Sequence, residues 1–211
     1  MLSHYTHHPS CNYFTRKLKG IVLATCTVNT VMLNCIITGI QYGGMTMLTE
    51  EQKRMHRVCF SGHRPEKLKQ PESVIVKALE TAIKEAIADG KNVFISGMAR
   101  GVDIWAAEIV LRLRKEGANV KLICASPYKG FERGWNAEWQ RRYNVILAAA
   151  DLVRFICPGY SRACFQIRNE WMVDHSALVI AVFNGQPSGT KNTIDYANRK
   201  SVPCWNILSE T

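Results

Sequence analysis

No Cys-x-x-Cys pair occurs in this sequence, and its eight cysteines form no set with histidine at the spacing of a zinc site. That removes a structural zinc site and a thioredoxin-like redox motif from consideration. Cys59, Cys124 and Cys157 lie inside or beside apolar runs, where free cysteine behaves as a small hydrophobe. They read as reduced thiols of a cytoplasmic protein, with no metal expected. Internal repeats, low-complexity tracts and an interdomain linker are also missing, which speaks against a solenoid or a string of domains.

What is present suffices for one full-sized core. The chain has 211 residues, 47% of them hydrophobic, and leaves little room for a second core. The expectation is one domain plus an appendage. A formal net charge of +10 suits an anionic partner, whether nucleotide, nucleic acid or acidic lipid. Residues 1–56 hold five cations and two carboxylates, so +7 remains for the rest and the excess is spread along the chain.

The first 46 residues differ in character from the rest of the chain. Residues 20–40 are mostly apolar and come after Arg16, Lys17 and Lys19, the outline of a signal sequence or a weak hydrophobic anchor. Asn29, Asn34 and four threonines weaken that outline, and a membrane role is not expected. Alternatively, Gly43-Gly44 ahead of Met47 is what a ribosome-binding sequence read in frame would encode. On that reading translation starts at Met47. The expected division is therefore an extension over 1–46 and a globular domain over 47–211.

From Arg57 onward, short β-rich runs alternate with helical patterns. The strand candidates are 57–61, 92–96, 119–125, 152–156, 177–183 and 202–207, with helices near 73–89, 102–116, 134–149, 163–173 and 190–199. In the first helix Ile75, Ala78, Leu79, Ala82, Ile83, Ala86 and Ile87 recur at helical spacing, and Gly90 is a natural stop. Continuous apolar strands between amphipathic helices predict an α/β fold. It is a Rossmann-like, doubly wound, mostly parallel sheet with helices on both faces.

Ligands of such folds bind beyond the carboxyl ends of the strands, where strand order reverses. Polar and glycine residues collect there: SGHRPEK, SGMARGVD, SPYKG, CPGYSR and NGQPSGT follow the first five strands. In SGMARGVD, Gly97 and Gly101 permit a tight turn and close approach, and the helix from Val102 presents unpaired amides to an anion. Arg100 can add a charged hydrogen bond, and Asp103 can cap the helix or accept from a ribose hydroxyl. A tight turn with a capped helix explains the same residues. A second glycine loop, with Ser188, Gly189 and Thr190, opens another helix. His63 reads as a general base, a base-stacking group or a loop histidine held by backbone. Arg168 and Asn169 face either the crevice or solvent, whereas Trp135, Trp139 and Tyr143 suit packing better than base stacking.

Taken in order, GHRP, SGMARGVD, SPY, RNEWMVDHSALVIAVFNG and PSGTKNTIDYA resemble the YpsA-like branch of the SLOG superfamily, Rossmann-like domains that include DprA and the LOG proteins. The resemblance spans residues 57–207 and implies a bacterial or phage domain binding a nucleotide or nucleotide-derived ligand. Carried over residue by residue, it places the pocket at Gly62, His63 and Arg64; at Ser96, Gly97, Met98, Ala99, Arg100, Gly101 and Asp103; and at Ser126, Arg168, Asn169, Gly185, Ser188, Gly189 and Thr190.

Two departures stand out. LOG phosphoribohydrolases carry PGGxGTxxE with a reacting glutamate, whereas this chain reads PSGTKNT with Thr193 there, and Asp195 lies two positions late. DprA has a larger core and added domains. The leading expectation is binding or sensing of a nucleotide-derived ligand by two glycine loops, with no catalytic residue assigned. The alternatives are hydrolysis of an N-glycosidic bond in a nucleotide derivative and DprA-like binding of single-stranded nucleic acid. The aromatic residues near Trp135 also allow a homo-oligomer.

Overall fold

A computed structural model describes residues 48–208 and, as backbone, 13–18 and 21–26. The Gly43–Met47 segment and most of the apolar stretch at 20–40 lie outside the described residues. The chain divides into two compact units, 1–53 and 54–211.

In the first unit, β1 (Tyr13–Leu18) and β2 (Ile21–Cys26) pair antiparallel, from Tyr13 opposite Cys26 to Leu18 opposite Ile21. Helix α1 (Glu50–Met55) comes next in the chain. Its start is a reciprocal capping box, in which the Gln52 amide donates to Thr49 Oγ1 at 3.2 Å and the Thr49 amide donates to Gln52 Oε1 at 2.8 Å. Among the described residues no helix is long and apolar enough to cross a membrane.

The second unit runs β3 (Arg57–Gly62), α2 (Glu72–Ala88), β4 (Val93–Ser96), α3 (Val102–Lys115), β5 (Lys121–Ser126), α4 (Ala137–Ala149), β6 (Leu152–Phe155), α5 (Cys164–Asp174), β7 (Leu178–Val182), α6 (Gly189–Arg199) and β8 (Cys204–Asn206). All six strands are parallel, in the order β6-β5-β4-β3-β7-β8. The chain enters at β3, builds outward through β6, then crosses back to lay β7 on the other side of β3. Strand order therefore reverses between β3 and β7.

Local chemistry explains each layer. Every residue of β7 is buried, as a strand covered on both faces requires. One stripe of α2, Ile75, Leu79, Ala82, Ile83 and Ala86, is buried against the core that holds α3, Tyr143 and Ile146. Met172, Val173 and Ala197 pack on the opposite face with Cys59, Ile95 and Val179. Each fully buried large side chain contributes about 1.5–3 kcal/mol. Chain direction is set by glycines such as Gly90, which closes α2 at φ +80°.

The aromatic residues at 135–143 serve packing, as their spacing suggests. Tyr143 is buried, Trp135 stands edge-on to it at 5.5 Å, and Trp139 lies 6.4 Å from Trp105 with Arg142 over its ring. Cys59, Cys124, Cys157, Cys164 and Cys204 are free thiols, and no group of side chains suited to a metal ion occurs among the described residues.

Candidate functional site

A cleft of about 280 Å³ opens at the reversal point between β3 and β7. Its walls come from three places. The end of β3 supplies Ser61, Gly62, His63, Arg64 and Lys67; the start of α6 supplies Ser188, Gly189 and Thr190; and α5 supplies Phe165, Arg168, Asn169 and Met172. Phe60, Ala99, Asp103 and Phe131 complete it. The four α5 residues stand at helical spacing, so one face of that helix turns entirely toward the cleft.

SGMARGVD grips a side chain. Arg168, 5% exposed, donates from Nη1 to the Gly97 carbonyl and lies 3.4 Å from Asp103 Oδ2. Asp103 also accepts from the Ala99 amide at 3.1 Å, while Ser96 Oγ donates to the Asp103 carbonyl at 2.8 Å and accepts from the Met98 amide at 3.1 Å. The turn is wound so tightly that Met98 takes φ +62° and is wholly buried. Burial pushes the Asp103 carboxyl above the usual aspartate range against the pull of Arg168, and lowers the guanidinium in turn. Arginine keeps its proton in proteins, so the two form a buried ion pair. One guanidinium nitrogen, Arg168 Nε, is buried with no partner among the described residues.

Several residues expected at the pocket do not line the cleft. Gly97 leaves room for Arg168, since a Cβ there would collide with Nη1. Gly101, at φ +91°, packs under Pro65 Cδ and the His63 carbonyl, so the 63–65 segment covers the start of α3. Arg100 pairs with Glu66 at 3.0 Å. Ser126 shares a 2.7 Å hydrogen bond with Tyr143, and Gly185 forms a positive-φ turn. Ser96 and Met98 lie beneath the surface.

The α6 start is different. Ser188 caps it, its Oγ accepting from the Lys191 amide at 3.3 Å, and Ser188, Gly189 and Thr190 all reach the cleft. Thr193 is buried, with Oγ1 bonded to the Gly189 carbonyl at 2.9 Å, and Asp195 pairs with Lys191 at 2.5 Å. Arg168 and Asn169 are both buried against the cleft, not turned to solvent. His63, 3% exposed, lies 5.7 Å from the Phe183 ring, and its Nε2 accepts from the Asn184 amide at 3.4 Å. Burial, with the charge of Lys67 adding, lowers its pKa below 6.5 and keeps it neutral.

Sequence reasoning missed Phe60, Ser61, Lys67, Phe131, Phe165 and Met172. The i, i+3, i+4, i+7 spacing of Phe165, Arg168, Asn169 and Met172 was the available signal: a stripe that mixes polar and apolar residues marks a cleft wall.

Known proteins share this architecture. The SPbeta prophage-derived protein YoqJ of Bacillus subtilis (strain 168) is 34% identical over 146 residues, 63% of this chain and 85% of the relative. A UPF0398 protein of Macrococcus caseolyticus is 34% identical over 157 residues, 68% of this chain and 85% of its own length. DprA of Streptococcus pneumoniae superposes with a TM-score of 0.54 at 19% identity, and a DprA of Helicobacter pylori described by its single-stranded DNA binding mode does so with 0.52 at 21%. Each covers 74% of this chain, which spans 51% and 66% of those two chains. This likeness is one of fold. The family model described as the YspA SLOG family matches residues 58–207, and the chain belongs to that YpsA family.

Proposed function

We propose that the domain binds a nucleotide or nucleotide-derived ligand in the cleft between β3, α5 and α6, as a sensing or sequestering module of the cytoplasm. One observation carries this reading. Beside the open start of α6, with its unpaired amides and positive dipole, stands a nearly buried arginine with an unpartnered Nε. Buried polar atoms without partners call for an explanation, and an anionic ligand supplies one. Arg64 and Lys67, both exposed on the same wall, add positive charge. Gly62 sits so close to α3 that a Cβ would lie 2.5 Å from Val102, which fixes the backbone leading to His63. Reduced thiols suit the cytoplasm.

His63 and Asp103 are the acid-base groups within reach of the cleft. The second is committed to Arg168, which disfavours hydrolysis through that carboxylate and favours binding.

A second reading, contact with single-stranded nucleic acid, draws on charge placement. The loops at the carboxyl ends of the strands carry Arg64, Lys67, Lys69, Arg100, Lys129, Arg133 and Arg162 against Glu66 and Glu132, seven cations to two carboxylates. The loops at the amino ends carry Lys91 and Lys200 against Asp89, Glu116 and Asp151, two to three. The rim of the cleft is thus the positive end of the domain.

Native mass spectrometry of the gently purified protein, followed by calorimetry with nucleotides and oligonucleotides, tests both. A bound nucleotide mass, with affinity independent of strand length, supports the first reading. Affinity that climbs with strand length and falls steeply with salt supports the second. Failure to bind any of them would overturn both.

A further inference from the structure

Strand β6 has the sequence of an interior strand and sits at an edge. Leu152, Val153 and Phe155 give it the apolar run of a strand covered on both faces, yet it ends the sheet order and pairs with β5 alone among the described residues. Leu152 and Phe155 are 43% and 42% exposed. Val145 and Tyr160, before and after it in the chain, are exposed as well. The opposite edge, β8, is guarded: it has three residues, follows Pro203 and leaves no large apolar side chain exposed. By contrast β6 contains no proline, no glycine and one charge, Arg154.

Bonds to β5 fix what the open side of β6 offers. The Asp151 amide donates to the Leu122 carbonyl at 2.9 Å, and backbone groups alternate in direction along a strand, so Leu152 and Arg154 aim their amides and carbonyls away from the sheet. We propose that a second copy of this chain pairs there, β6 to β6 and antiparallel, about a two-fold axis through Val153. Val153 then faces its own copy, and Leu152 of each chain exchanges both backbone hydrogen bonds with Arg154 of the other. A two-fold axis through Arg154 would instead set like charges opposite each other.

Antiparallel pairing also matches charge. Lys129, Arg133 and Arg162 stand with Glu132 in the loops at the carboxyl ends of β5 and β6, whereas Glu116 and Asp151 are the charged residues of the loops at their amino ends. The two-fold lays the positive end of each copy beside the negative end of the other. Four strand residues fall short of the roughly 800 Å² per partner of a standard interface, so a dissociation constant in the micromolar range is expected.

Sedimentation velocity of the full chain, run from about 1 to 100 μM, tests the pairing. A reversible dimer is expected. Leu152→Lys sets a second cation opposite Arg154 and should weaken that dimer at least about tenfold, whereas Leu152→Glu makes a cross-strand ion pair at the same place and should retain it. Because Leu152 is already 43% exposed, both variants should fold as the parent does. Arg154→Pro removes an amide that faces outward and should also dissociate the dimer. A chain that is monomeric at every concentration would overturn the proposal, whether the edge then stays bare or takes an extended peptide. A dimer indifferent to all three variants would overturn β6 as the contact, and equal losses in Leu152→Lys and Leu152→Glu would overturn the register.

Discussion

The guanidinium of Arg168 occupies the space that a side chain at residue 97 would fill, so that a Cβ on Gly97 would overlap Nη1 and lie 2.8 Å from Asp103 Oδ2. The glycine of SGMARGVD is thus explained by the arginine of another segment. Asp103 holds that arginine from the other side, 3.4 Å from the same nitrogen.

Gly97→Ala must expel Arg168, leaving Asp103 buried and uncompensated. Breaking a buried pair in this way costs about 3–5 kcal/mol. Urea denaturation should show a loss of this size with an unchanged m value, and a loss below about 1 kcal/mol would contradict the packing described.

His63 makes stability depend on pH. Its folded pKa lies below the unfolded 6.5, so between those two values the unfolded chain binds the extra proton. The stability conferred by neutral His63 is complete above about pH 6.5 and declines as pH falls toward the folded pKa. Melting temperatures from pH 8 to 5 should fall in the acid range, and His63→Phe should flatten that decline.

Arg64 is exposed on the cleft wall and pairs with no carboxylate among the described residues. Arg64→Ala should leave the melting temperature unchanged and weaken binding of a phosphate-bearing ligand about tenfold, the scale of one charge-assisted hydrogen bond. Calorimetry at two salt concentrations checks it, with a smaller salt dependence expected in the variant.

Burial pushes the thiols of Cys59 and Cys124 up to about 12, and the thiolate is the reactive form. At pH 8, iodoacetamide should leave both unmodified in the folded protein and reach Cys157, which is partly exposed. Peptide mass spectrometry before and after denaturation distinguishes the classes.

The sheet was legible because its strands are short, apolar and bounded by glycine or proline, and because α2 carries its core residues on one stripe. The α6 start was legible for a similar local reason: Ser188 and Gly189 cap a helix wherever they precede one. Arg168 was not. Nothing near it in sequence shows that it is buried, since its partners are the Gly97 carbonyl and Asp103, 71 and 65 residues away. A local reading therefore could not show that the Gly97 carbonyl and Asp103 hold that arginine, while Ala99 and Asp103 also line the cleft. The aromatic wall escaped for the same reason, because Phe131 and Phe165 meet only in space.

The reversal of strand order also sets when the cleft can exist during synthesis. Its first wall leaves the ribosome with β3, but β7, which pairs beside β3, and the amide of Asn184, which reaches His63 across 121 residues, emerge near the end. A nascent chain that has made only β3 through β6 has no α5 and α6 to close the cavity and no counter-ion for Asp103. The cavity therefore exists only once the last third of the chain has been made.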